Sequence, residues 1–342
     1  MNKIERIRTV MNGGVPDRIP VMTHNFMMAA KESGFTMKQY RESPDIIVRV
    51  LTEACEKYDT DGILLDVDTA LLASACGADT IFPDDIAGVV TDKQTRTIPE
   101  LIDFIGNLEL EKNPRIMMYL ETISKLSEWG NKNGVFIRGN ADQGSFSLAC
   151  LLVGMNDFLM DLLDEDCEED LLKLMESTYG VALKMHRLCF KAGAHCTSYG
   201  NSSEGCSVVS PSVFRKFAKP FETRLAQQLI ADKIPTICHI CGYVDPILPD
   251  LAQTGCTAYE LDYKTDILLA QKVAKGHFII SGNLDPAMLN SANAQTVHNA
   301  TRELCELFKG KGGLMIGPGC ALSPNTPSAN IRALVEATKE FG

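Results

Sequence analysis

Short apolar runs recur along this chain, separated by longer amphipathic stretches, and that alternation restricts its fold more than any other feature. Eight runs read as strands: Ile19–Met22, Gly62–Asp66, Gly134–Gly139, His195–Tyr199, Pro235–Cys241, Ala258–Asp262, His277–Ser281 and Gly313–Ile316. Ser212–Ala231, Asp266–Lys275, Thr296–Lys309 and Pro327–Phe341 carry apolar residues at helical spacing. Alternating β and α units predict a parallel sheet with crossover helices. Eight such units predict an α/β fold, a (β/α)8 TIM barrel of roughly 250 residues plus insertions. The chain has 342 residues. The excess falls in the N-terminal half, where about 67–133 (Val67–Asn133) reads as an insertion. It holds a turn-rich Phe82-Pro83-Asp84-Asp85 and helical patterns around Pro99–Leu108 and Pro114–Trp129. No proline- or glycine-rich linker divides the chain, so 1–342 reads as a single barrel domain.

Charge narrows the partners. Thirty-three basic residues against 44 acidic ones give a net charge of −11. Without a basic run, such a chain is a poor binder of nucleic acid or of an anionic membrane. No apolar run approaches the about 18 residues needed to span a bilayer. Met1–Val10 is too charged for a signal peptide. The 12 cysteines are scattered, so they are expected to be reduced, in a cytoplasmic protein, with some binding metal or doing chemistry.

A barrel of this kind carries its active site at the carboxyl ends of its strands. Polar residues in those places are Asp66 and Asp68, Asn140 and Asp142, Tyr199 to Glu204, His239 and Cys241, Asp262, Asn283 and Asp285, and Cys320. His239 and Cys241 are two apart, so on a strand they face the same side, whereas Cys238 faces the other. Gly317-Pro318-Gly319-Cys320 ends the last strand, and the fifth and eighth strands of a closed barrel open into one mouth. His, Cys and Cys suit Zn²⁺, and a catalytic zinc commonly keeps one position open. Spacing alone leaves the bland reading open, because buried cysteines are common core residues. Cys55, Cys189 and Cys305 lie in helical patterns and read as core.

The run HICGYVDPILPDLAQTGCTAYELD from His239 to Asp262 resembles the uroporphyrinogen decarboxylase superfamily. So do SGNLDP at Ser281–Pro286, the tail GPGCALSPNTPSANIRALVEATKEFG, and the pieces Phe146–Ala149 and Ser210–Phe214. The best match is its zinc-dependent branch, the methylcobamide:coenzyme M methyltransferases. That resemblance implies a (β/α)8 barrel whose zinc is held by His239, Cys241 and Cys320. It implies methyl transfer from a methylated corrinoid, borne on a separate carrier protein docked over the barrel mouth, to a small thiol such as coenzyme M. In distantly related methionine synthases a glutamate follows the His-x-Cys by about two dozen residues. Asp262 falls near that place and is the tentative fourth, displaceable ligand or a substrate contact, with Glu260 its same-face neighbour. Porphyrin decarboxylation is disfavoured. The stretch Asp17–Phe26 lacks the paired arginines that grip substrate carboxylates, and the acidic balance offers a polycarboxylate no help.

The substrate's remote end needs its own anchor. Asn201, Ser202 and Glu204 are candidate pocket residues. Thr326 reads as an N-cap with Pro327 at the first helical position, and a helix N-terminus favours an anion. Two other functions compete. A relative of this branch could demethylate a substrate onto Co(I) corrinoid, or the chain could be a non-catalytic barrel that binds a corrinoid or porphyrin. Intact His239, Cys241 and Cys320 speak against the last, because a binder needs no open zinc site.

Overall fold

The computed structural model describes residues 1–342. Eight parallel strands follow one another around the sheet: β1 Met22–Thr23, β2 Gly62–Leu65, β3 Phe136–Gln143, β4 Cys196–Gly200, β5 Thr236–Ile240, β6 Ala258–Leu261, β7 Ile279–Leu284 and β8 Leu314–Pro318. A parallel bridge between Val21 and Ile316 closes the ring, with the Ile316 amide donating to the Pro20 carbonyl. The barrel expected from the alternating pattern is therefore present. The first strand begins later than the apolar run Ile19–Met22 suggests. Pro20 has no N–H to give to a ladder, so the chain joins the sheet only after it.

Crossover helices cover the outside, and four serve the description below. They are α2 Pro44–Tyr58, α3 Pro114–Asn133, α4 Glu168–Lys191 and α5 Lys219–Ala231, with α1 Lys3–Met11 preceding the barrel. Their starts obey local chemistry. Ser43 and Asn113 accept from the first-turn amides of α2 and α3, and each helix has Pro at its first position. Gly134, at φ 68°, ends α3 in the left-handed conformation that favours glycine. Between β2 and α3 the chain forms a small antiparallel pair, Thr80–Ile81 with Val89–Val90, and a helix at Ile98–Gly106. Arg115 at the start of α3 pairs with Asp68, in the loop after β2, at 2.7 Å. No helix is long and apolar enough to cross a membrane.

The inside of the barrel is layered, and the layers follow from the two-residue period of a strand. Met22, Leu64, Phe136, Cys196, Ile237, Ala258, Ile279 and Met315, one from each strand, form an apolar floor with Ile7, Val10 and Met11 of α1. Arg6 and Arg18 fasten that end by pairing with the fully buried Asp61 at 2.6 and 2.8 Å. Two residues further along each strand the inward positions are His24, Asp66, Arg138, Ser198, His239, Glu260, Ser281 and Gly317. One step up, the interior changes from hydrocarbon to polar groups, which sets the height of the site.

Candidate metal centre

His239 projects from β5 into this polar layer, and Cys241 follows it just beyond the strand. Cys320 arrives from the turn after β8. The Nε2 of His239 lies 2.9 Å from Cys241 Sγ, and the two sulfurs are 4.0 Å apart. One ligand atom from each residue falls within a 4.8 Å cluster. Strand period and barrel closure thus bring together the three residues read as ligands.

The surroundings prepare His239 for one role. Its Nδ1 faces Glu260, 3.1 Å from the carbonyl oxygen and 3.3 Å from the carboxylate. Nδ1–H donates there, so Nε2 is the ring nitrogen turned toward the sulfurs. This is the carboxylate–histidine arrangement that orients metal-bound imidazoles. Glu260 is in turn paired with Arg138 at 2.5 Å, both buried inside the barrel. Burial opposes the charge on Glu260, but Arg138, His239 and His24 outweigh it and hold the carboxyl down to about 2. Burial likewise disfavours a charged His239, yet the Cys241 sulfur beside it pushes the imidazole up to about 9. A hydrogen bond from Cys320 draws the Cys241 thiol down to about 3, while that same contact and burial push Cys320 up. The cluster therefore carries electron-rich sulfur next to a correctly oriented imidazole. One nitrogen and two sulfurs are a donor set that fits zinc.

The other sequence candidates divide. Ser202 stands at the mouth, its Oγ 3.5 Å from Cys241 Sγ. Asn201 and Glu204 do not line the mouth. Their side chains turn to the outer side of the sheet and are buried near Glu222 of α5, because the loop after β4 folds back over β5. Asp262 lies outside the three-residue cluster. Its carboxylate accepts from the amides of Gly242 and Lys264 at 2.9 and 3.1 Å, bracing the turn that follows Cys241. Thr326 is not an N-cap. The last helix runs Ser328–Phe341 with Pro327 at its cap position, and the Thr326 hydroxyl is buried without a partner. Ser328 at that helix start hydrogen-bonds Glu32, so the chain supplies a carboxylate of its own there. Asp66 Oδ2 lies 2.8 Å from His24 Nε2 in the polar layer, whereas Asp68 pairs with Arg115 of α3. A cleft of about 890 Å³ opens at the floor end of the barrel, bordered by Met11, Lys275 and Lys311, and shares no residue with the cluster.

Sequence reasoning missed Arg138. Its signal was present: a lone cation inside the apolar run Gly134–Gly139, matched by the anion Glu260 at an interior position of Ala258–Asp262. Opposite charges on inward positions of two strands are tolerable only if they meet.

A family model described as uroporphyrinogen decarboxylase (URO-D) matches residues 2–341. The chain is 32% identical to the methylated-thiol–coenzyme M methyltransferase of Methanosarcina mazei over 149 residues, 43% of this chain and 38% of that protein. It is 27% identical to the methylcobamide:CoM methyltransferase MtbA of Methanosarcina acetivorans over 228 residues, 66% of this chain and 64% of that protein. The matched stretches thus span less than two thirds of both relatives. Among solved structures, a methyltransferase from Methanosarcina mazei superposes with a TM-score of 0.87 at 21% identity, covering 100% of this chain and 99% of the other. That likeness concerns the fold.

Proposed function

The chain belongs to the uroporphyrinogen decarboxylase family, and from that premise we propose that it is a zinc-dependent methyltransferase, moving a methyl group from a methylated corrinoid to a small thiol such as coenzyme M. The observation that carries the reading is the His239–Cys241–Cys320 cluster at the carboxyl ends of β5 and β8. The names of the two methanogen relatives support the choice of corrinoid and thiol.

His239 Nε2, Cys241 Sγ and Cys320 Sγ would hold the zinc. Bound there, it supplies the positive charge that stabilises a substrate thiol as its thiolate, the nucleophilic form. The chain's own groups do the rest. Glu260 accepts a hydrogen bond from Nδ1–H and so fixes the imidazole, and Arg138 keeps the Glu260 carboxylate charged. Asp262 holds the Gly242 turn and so the height of Cys241. The substrate sulfur attacks the methyl carbon; the S–C bond forms as the Co–C bond breaks, and its electron pair stays with cobalt. The corrinoid is too large for the interior and is presented at the mouth by a carrier protein. Tyr243 and Tyr263, which follow Cys241 and Asp262, are exposed there.

The site is poorly suited to a porphyrin bearing many carboxylates. Arg18, in the stretch where family decarboxylases carry substrate-binding arginines, is engaged with Asp61 at the floor end. Arg138, the cation inside the barrel, is engaged with Glu260.

Metal analysis and a methyl-transfer assay test the reading together. Purified protein is expected to contain zinc, and methylcobalamin with coenzyme M should show the absorbance change of cobalt losing its methyl group. His239→Ala and Cys320→Ala should abolish that change. Full turnover by either variant, or by chelator-stripped protein, would refute it.

A further inference from the structure

Behind the metal centre, on the outer face of the same strand, lies a second group of ligand-type side chains. Cys238 points outward from β5, as its place between Ile237 and His239 requires. There it meets Glu222 of α5 and Glu204 of the loop after β4. One ligand atom from each of the three lies within 4.8 Å of the others, and all three residues are buried. Glu222 is well served: Asn201 Nδ2 donates to it at 2.5 Å, Cys238 Sγ at 3.2 Å and Tyr259 Oη at 3.3 Å. Glu204 is not. It is 0% exposed, and neither of its oxygens has a hydrogen-bond partner. The hydroxyl of Tyr199, 1% exposed and lining the same small cavity, has none either.

Two carboxylates and a thiol thus share a dry pocket, and neither carboxylate has an ion-pair partner. Burial and the neighbouring Glu222 push the Glu204 carboxyl far up. A single added proton satisfies one oxygen and leaves the others bare. Unmet polar atoms in a dry interior are costly, so the pocket is short of a positive centre.

We infer that Glu204, Glu222 and Cys238 form a second, structural site for a divalent transition metal of the zinc class, separate from the His239–Cys241–Cys320 centre. Carboxylate oxygen and thiolate sulfur are both established zinc ligands, and the thiolate disfavours magnesium and calcium. Bond lengths of about 2.0–2.3 Å to one ion require the three ligand atoms to close in modestly from their 4.8 Å limit. Entry of the ion releases the thiol proton of Cys238 and the carboxyl proton of Glu204 to solvent. The ion joins the loop after β4, strand β5 and helix α5, three elements behind the wall on which His239 stands, and so stiffens that wall.

Zinc counting by elemental mass spectrometry tests this on the full chain, stripped by chelator and reloaded with Zn²⁺ alone. Two zinc ions per wild-type chain are expected. The triple variant His239→Ala/Cys241→Ala/Cys320→Ala should keep one, and adding Glu204→Gln and Cys238→Ser to it should leave none. X-ray absorption of the triple variant should show one sulfur and otherwise oxygen around the metal. A wild type holding one zinc, together with a folded triple variant holding none, overturns the second site and leaves the methyltransferase reading intact. A triple variant as zinc-rich as the wild type refutes the first centre instead. Should the added variants fail to fold, the wild-type and triple-variant counts still decide.

Discussion

Replacing Arg138 by methionine isolates the support behind His239. The substitution keeps an unbranched side chain inside the barrel but removes the cation paired with Glu260 at 2.5 Å. Both residues are almost fully buried, at 3% and 4% exposure. The remaining cationic contact of Glu260 is then His239, at 3.3 Å. Removing one partner of a buried pair costs about 3–5 kcal/mol, because the other charge is left uncompensated. For 342 residues, an unfolding entropy of about 2.1 cal/mol/K per residue gives roughly 0.7 kcal/mol/K, so Tm should fall by about 4–7 °C. Calorimetry on metal-free protein measures this apart from any effect of zinc. Arg138→Met/Glu260→Gln should recover more than half the loss, since neither charge then remains. Zinc affinity of Arg138→Met should drop about 10–100-fold, as for other groups that orient a ligand. A Tm shift under about 2 °C, or a double variant whose losses simply add, would show that the pair is uncoupled and that Glu260 needs no counter-charge.

Two further expectations follow from particular residues. His186 is fully buried, 2.7 Å from Thr197 Oγ1, and burial lowers its pKa from 6.5 to about 3. The unfolded chain therefore binds a proton between those values that the folded chain does not, so stability rises with pH across that window. The slope approaches 1.36 kcal/mol per pH unit, about 2 °C in Tm. His186→Gln should remove that part of the slope between pH 5 and 6.5, and unchanged slopes would contradict it. Gly317 sits at the seam where the barrel closes, and a Cβ there would lie 2.2 Å from the Met22 carbonyl oxygen. Gly317→Ala should cost about 1–3 kcal/mol by forcing β8 from β1, read as a lower urea midpoint; an unchanged midpoint would mean that the seam is slack.

The barrel was legible because its periodic signals are local. Alternation of strand and helix patterns located all eight strands, with ends off by a few residues where Pro20 or a polar extension such as Asn140–Gln143 interrupts the apolar run. The His239–Cys241 pair was legible from the period of a strand, but Cys320 is 79 residues beyond Cys241, so barrel closure could bring it only to the same mouth, and family resemblance was needed to read the three as one ligand set. Loops were another matter. Asn201 and Glu204 look like pocket residues because they follow a strand, yet which way a loop folds depends on partners such as Glu222, on a helix with no spacing relation to them. Thr326 failed for a subtler reason. Pro327 cannot donate an N–H and was taken as the first helical residue, but it occupies the cap position itself.

The apolar floor has a kinetic consequence. Plugged by α1 and bolted through Asp61, it makes the barrel a vessel with a single door. On the proposed function, a carrier protein presenting its corrinoid at that door would also block it. The thiol would then have to be inside before the carrier arrives, and the methylated product could leave only after the carrier departs. That function, in a vessel closed by eight side chains and a short helix, carries with it a compulsory order of binding and release.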